Sequence, residues 1–430
     1  MNSAETTELG KAGKSRLDLS VSPRDREILR GLAGRVAELA ARPIEAEKRE
    51  LWYRHNALEE TRPVIFCDPE NGWHEIITPD TLACEGRLAL RWEMMLRKEV
   101  FWGESMGDDR VVEPFFRVNH VAHRGDWGMR ERRIGGKDGG AYTWEAPLKT
   151  YDDLDKLRYP VIEVDQKATA GLVALAEEVL GDLLEVQLRG YWWWSLGLTL
   201  TCVLLRGLEQ MMLDMCLEPD GLKELMAFLR DGTMAQMDFL EEEGLLSLNN
   251  DGTYVGSGGF GYSRELPQQG FDPERVRLRD IWGLCESQET TAVSPEQFAE
   301  FVYAYQRPIS ERFGLNCYGC CEPLDLRWDV IKHTPGLRRV SVSPWCNLEA
   351  MAEKLGANFV YSMKPSPSVL ASPTIDEAAI REGLRQAFEI TQGCRVEAIM
   401  KDNHTIGGNP DHVIRWCRIA REEADKAFGG

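Results

Sequence analysis

Hydrophobic positions along this chain recur with two different periods, and the change between them marks its organisation. From Ser22 the pattern is helical: Leu29, Leu32, Val36 and Leu39 return at three- and four-residue steps in SPRDREILRGLAGRVAELAARPIEAEKRELWYRHNALEE. Ser22 before Pro23 supplies an N-cap with proline at the first helical position. The preceding segment, MNSAETTELGKAGKSR, is polar and is expected to be disordered or frayed. TRPVIFCDP is a short apolar run closed by Asp-Pro and predicts a buried strand. Residues 80–160, rich in tryptophan, charge and glycine, predict loops and excursions with one extended piece near 111–118.

After about residue 180 short apolar runs become regular, at 183–190, 244–250, 279–285, 314–319, 337–344, 358–365 and 396–402. Helical patterns separate most of them, and strands alternating with helices imply parallel βαβ units. Those seven, with one strand from VIFCD or the 111–118 piece, predict an α/β fold: a closed (βα)8 TIM barrel with an N-terminal helical extension. The implied division is 1–60 for the extension, 61–180 for the first strands with insertions, and 181–430 for the rest of the barrel. In such a barrel chemistry sits at the C-terminal strand ends. These carry Arg189, Asn249 to Asp251, Cys285 to Gln288, Tyr318 to Glu322, Ser343 to Trp345, Lys364 and Asp402 to His404.

Composition narrows the function. The 430 residues are 43% hydrophobic and 28% charged, with a formal net charge of −19, which a nucleic-acid backbone or an anionic membrane surface would repel. No run of apolar residues is long enough to span a membrane. The 11 cysteines, an odd number without a signal peptide before them, point to reduced thiols and a cytoplasmic setting rather than a disulfide framework.

Four constellations carry candidate chemistry. Gly256-Ser-Gly-Gly-Phe-Gly261 matches a dinucleotide fingerprint in form, but no helix of the right kind follows, so a flexible loop over the barrel mouth is expected instead. In Cys317-Tyr-Gly-Cys-Cys321, strand alternation puts Tyr318 and Cys320 on one face and Cys317 on the other. Cys320, with His404 across the mouth and Glu286 or Glu322 nearby, could ligate zinc; buried inert cysteines are the equal alternative. Tyr191-Trp-Trp-Trp194 suits an aromatic-lined pocket for a methoxylated ring or methylated ammonium, although packing explains any one ring. Lys364 could neutralise a carboxylate or oxyanion, or simply pair with an acid.

The order Trp193-Trp-Ser-Leu-Gly-Leu-Thr-Leu200, a helix, Gly-Cys-Cys at a middle strand end, and a last strand with Asn403-His404 resembles the uroporphyrinogen decarboxylase superfamily over roughly residues 180–425. The resemblance implies a (βα)8 barrel. The porphyrinogen decarboxylases of that superfamily carry an N-terminal Arg/Gln-Ala-Gly-Arg-Tyr segment, where this chain reads Arg62-Pro-Val-Ile-Phe-Cys-Asp68. A second branch, zinc methyltransferases of corrinoid pathways, carries His-x-Cys-Gly on a middle strand. Cys320 matches its cysteine, Tyr318 stands in place of its histidine and Cys321 in place of its glycine, while His404 falls where a later ligand cysteine lies. The resemblance therefore implies a metal-dependent methyltransferase with zinc on Cys320, His404 and Glu286. Glu286 or Glu322 would handle the proton. Trp193, Asn249, Trp282, Tyr318 and Lys364 would line the substrate site. The methyl group would pass from an aryl methyl ether, or a methylated amine or thiol, to a corrinoid protein partner. The alternative is a metal-free decarboxylase acting on a polycarboxylate.

Overall fold

Residues 18–135 and 142–429 are described by the structure, a computed structural model. The expected fraying of residues 1–17 and part of the glycine-rich run at 136–141 lie outside them. The first helix, Pro23–Ala40, starts where its cap predicts: the Ser22 hydroxyl accepts from the Asp25 amide at 3.1 Å, and Leu29, Ala33, Val36 and Leu39 form its buried stripe. That stripe packs on Ala89, Trp92 and Leu96 of the helix Arg87–Phe101, inside the region read as loops. Basic and acidic residues interleave that helix's apolar stripe and hide its period. Its Glu93 carboxylate turns inward, accepting from the Ala83 and Cys84 amides.

Eight strands run parallel to their partners. Six form one sheet: β1 (Val64–Cys67), β4 (Trp282–Cys285), β5 (Leu315–Tyr318), β6 (Leu337–Val342), β7 (Val360–Met363) and β8 (Arg395–Met400), in the order β1-β8-β7-β6-β5-β4. The other two, β2 (Phe115–Asn119) and β3 (Glu185–Arg189), pair with each other. The result is a parallel α/β molecule whose backbone ladder joins six strands and does not close on itself among the described residues. Both N-terminal candidates for a strand are strands, whereas 244–250 is not one. There side chains replace the ladder. Asn249 clamps the backbone of Trp282 from both sides, at 2.9 and 3.1 Å, and Ser247 accepts from the Gly190 amide at 2.9 Å.

The sheet is buried on both faces, as continuous apolar runs require. Toward the helices, Tyr318, Val340, Val342, Tyr361 and Ala398 meet side chains such as Ile380, Leu384 and Trp416. The opposite face is filled by the glycine-rich segment, which is not a flexible surface loop. Tyr254–Val255 and Gly259–Phe260 form a small buried hairpin. A Cβ on Gly256 would stand 2.7 Å from Cys317 Sγ, and one on Gly259 2.5 Å from Arg339 Cζ, so only glycine lets this backbone enter. No helix among the described residues is long and apolar enough to cross a membrane.

Candidate functional site

β5 ends at Tyr318, and the next residue decides the site. Gly319 takes φ +91°, which ends the strand's alternation. Cys317 faces the glycine-rich hairpin and Arg339, with Arg339 Nη1 3.7 Å from its sulfur. Tyr318 points to the helices, where its hydroxyl donates to Gln306 Oε1 at 2.6 Å. It packs as core. Strand alternation would have set Cys320 beside Tyr318, but the left-handed glycine turns it toward the hairpin instead.

Cys320 and Cys321 lie with their sulfurs 3.4 Å apart. The Cys320 thiol is held below its usual range, first by hydrogen bonding from Cys321 and then by the nearby Lys401 ammonium, against the opposing effect of burial. The buried Ser257 hydroxyl of the hairpin lies beside the same sulfur and also helps to lower its thiol. Cys321 is pushed strongly the other way, first by its hydrogen bond with Cys320, then by burial and by the charge of that neighbour. Its single S–H proton has two acceptors in reach, Cys320 Sγ and, at 3.8 Å, Asp402 Oδ2. Asp402 is a non-glycine residue at φ +60° and accepts from Lys401 Nζ at 2.5 Å.

Lys364 is buried at the end of β7, donating to the Ser362 carbonyl at 3.2 Å. Burial pulls its ammonium down to about 8, while Glu397 and Cys320 counteract this. A carboxyl pair lies beyond the thiols. Glu322 accepts the Ser287 and Cys320 amides at 2.8 and 2.9 Å, and burial still raises it. Glu286 accepts from the Ser195 hydroxyl at 3.0 Å and the Gln288 amide at 3.1 Å. It is pushed well above the carboxylate range by burial, then by Glu322 and Glu289. Burial beside a second carboxyl group favours the protonated form of such a pair. On the other side Glu70, also raised by burial and by Asp68, titrates at about 7.

Several expected residues stand elsewhere. His404 is exposed, with Nδ1 3.4 Å from Asn71 Nδ2, and no contact joins it to Cys320. No group of three or more His, Cys, Asp or Glu side chains is placed to hold a metal ion among the described residues. Glu286 is turned to Ser195 and Gln288. Cys320, His404 and Glu286 therefore do not fit the zinc site that the resemblance implies. Trp282 is buried, donating from Nε1 to the Gly261 carbonyl at 2.9 Å beneath Arg339, and Asn249 holds its backbone. Trp193 packs edge-on against Phe313, while Trp192 stacks near His120 and donates to the Leu245 carbonyl. Trp282 is core, while Trp192 and Trp193 are half-buried against the core.

Lys401, Ser257 and Tyr254 were missed. Tyr254 is half-buried, and its hydroxyl is raised by desolvation and by Asp68, Glu70, Asp402 and Cys320 around it. The signal for Ser257 and Tyr254 was the glycine-rich run itself, since glycine density marks close backbone approach as well as flexibility.

No family model matches the chain, and no curated protein matches it. Among solved structures it is similar to a methyltransferase from Methanosarcina mazei, at 13% identity and a TM-score of 0.47, with 87% of this chain and 97% of that chain covered.

Proposed function

We propose that this chain is a methyltransferase whose chemistry sits at the C-terminal ends of β4, β5, β7 and β8. In this reading the six-stranded sheet and the β2–β3 pair are arcs of a distorted (βα)8 barrel. One arrangement carries the proposal: the buried Glu286 carboxyl, pushed well above the carboxylate range by burial and by Glu322, shares a site with the Cys320 thiol and the Lys364 and Lys401 side chains. Removing a methyl group from an ether oxygen, an amine or a thiol leaves a heteroatom that needs a proton. Glu286 is a donor held in the acid form for that step. The carbon–heteroatom bond breaks as the methyl group passes to a nucleophile, and the Glu286 proton goes to the departing atom. The sequence resemblance names the methyl acceptor as a corrinoid carried by a partner protein. Ser195 and the Gln288 amide orient Glu286, and Glu322 fixes the turn that presents Cys320.

A second reading, metal-free decarboxylation of a polycarboxylate, is favoured by the two buried lysines, which could hold a carboxylate. A donor panel separates the two. Methoxyarenes, methylamines and methyl thioethers are incubated with cob(I)alamin and the enzyme, and porphyrinogen is assayed for released CO2. The proposal expects loss of the cob(I)alamin absorbance with at least one donor and no CO2. Release of CO2 without cobalamin methylation with any donor would overturn it.

A further inference from the structure

Cys320 and Cys321 are neighbours in sequence whose sulfurs are also in contact, at 3.4 Å. Two chemistries suit a vicinal dithiol, and distance separates them. A disulfide needs its sulfurs about 2.05 Å apart and prefers Cα atoms at least about 4.4 Å apart, whereas sequence neighbours stand only about 3.8 Å apart. Closing this pair to a disulfide therefore strains the turn after Gly319. A single soft atom with bonds of about 2.3 Å to each sulfur spans 3.4 Å at an angle of about 95°. That angle is close to the bond angles of a pyramidal trivalent centre and narrower than the tetrahedral angle of about 109° that zinc prefers.

From this geometry we propose that Cys320 and Cys321 form a bidentate clamp for a trivalent arsenical of the class R–As(OH)2. Cys321 is the entry point, because it is partly exposed and beside Asp402, whose side chain is 45% exposed. Cys320, 4% exposed beneath it, closes the chelate. The step balances without a redox change: two As–O bonds break and two As–S bonds form. Two waters leave, taking the two thiol protons. Arsenic stays trivalent throughout. This clamp is independent of the methyl-transfer reading, since it needs only the two sulfurs.

The test uses the full chain, reduced and kept free of oxygen, with phenylarsine oxide as probe and intact-mass spectrometry as readout. One phenylarsenic group per chain is expected, surviving excess monothiol and released by a dithiol. C320S and C321A should each release it at least about a hundredfold more readily, because the second attachment is intramolecular. C216A, which removes the exposed cysteine, should keep it. C321A alters a partly exposed position and serves if C320S fails to fold. A wild-type chain that takes up no monothiol-resistant group would overturn the proposal. So would an adduct that survives both C320S and C321A, which would assign it to the other buried thiol pair, Cys67 and Cys417.

Discussion

Gly319 is the smallest part on which the site depends. A Cβ built there would stand 2.5 Å from Leu324 Cδ1, which is buried, at a φ of +91° that side chains avoid. Gly319→Ala should cost about 1–3 kcal/mol in urea unfolding and, by moving Cys320 away from Lys401, raise the pH at which its thiol reacts with iodoacetamide. At Glu286 the effect is on rate. Its acid form is favoured by burial, so proton donation should fall as pH rises through a value above the usual carboxylate range. E286Q cannot donate. It should lower kcat for methyl transfer by about a hundredfold and abolish the alkaline limb of the pH profile, measured under saturating donor.

At the scale of elements, local signals that satisfy themselves were legible and signals that depend on distant partners were not. The Ser22 cap and the stripe of Pro23–Ala40 are local, and they stand where the pattern put them. Ser22→Ala should lose about 1 kcal/mol of stability, read as a shift of the denaturation midpoint with unchanged slope. The six strands of the main sheet, buried on both faces, read as plain apolar runs, and with the half-exposed Glu185–Arg189 seven of the eight expected strand positions hold a strand. The run at 244–250 has the same composition, but its pairing is decided by Asn249 and Ser247 reaching the backbones of Trp282 and Gly190. Cys320, Glu286 and Lys364 lie near one another because strand ends converge in any parallel α/β sheet. Placing His404 with them failed because the chain after β8 turns at Asp402, φ +60°, and carries His404 to the surface beside Asn71. The glycine-rich run was misread for the same reason, since what its glycines admit is Cys317 and Arg339 from other strands.

Across the whole molecule, one buried ion network ties the sheet to the N-terminal helices. Glu397 of β8 meets Arg339 of β6 at 2.9 Å and His55 of the helix Pro43–Asn56 at 3.2 Å, and accepts from Ser362 of β7. Burial opposes its charge, but Arg339 and His55 outweigh it and hold the carboxyl at about 2. A depressed carboxylate contributes stability that is complete above its unfolded value, near 4.3, and is lost as pH falls toward 2. Acid unfolding should therefore steepen in that window by about 3 kcal/mol. E397Q should remove that share of the slope and cost about 3–5 kcal/mol at pH 7, because Arg339 is left buried without its partner.

The claim that joins these scales is that the strand-end site moves a methyl group with Glu286 supplying the proton. Its most direct test is isotopic: a donor carrying a CD3 group is incubated with the enzyme and cob(I)alamin, and the cobalamin product is read by mass spectrometry. The account predicts that the intact CD3 group appears on cobalamin with the wild-type chain and is nearly absent with E286Q. Transfer by E286Q at the wild-type rate, or no labelled cobalamin from any ether, amine or thioether donor, would contradict it.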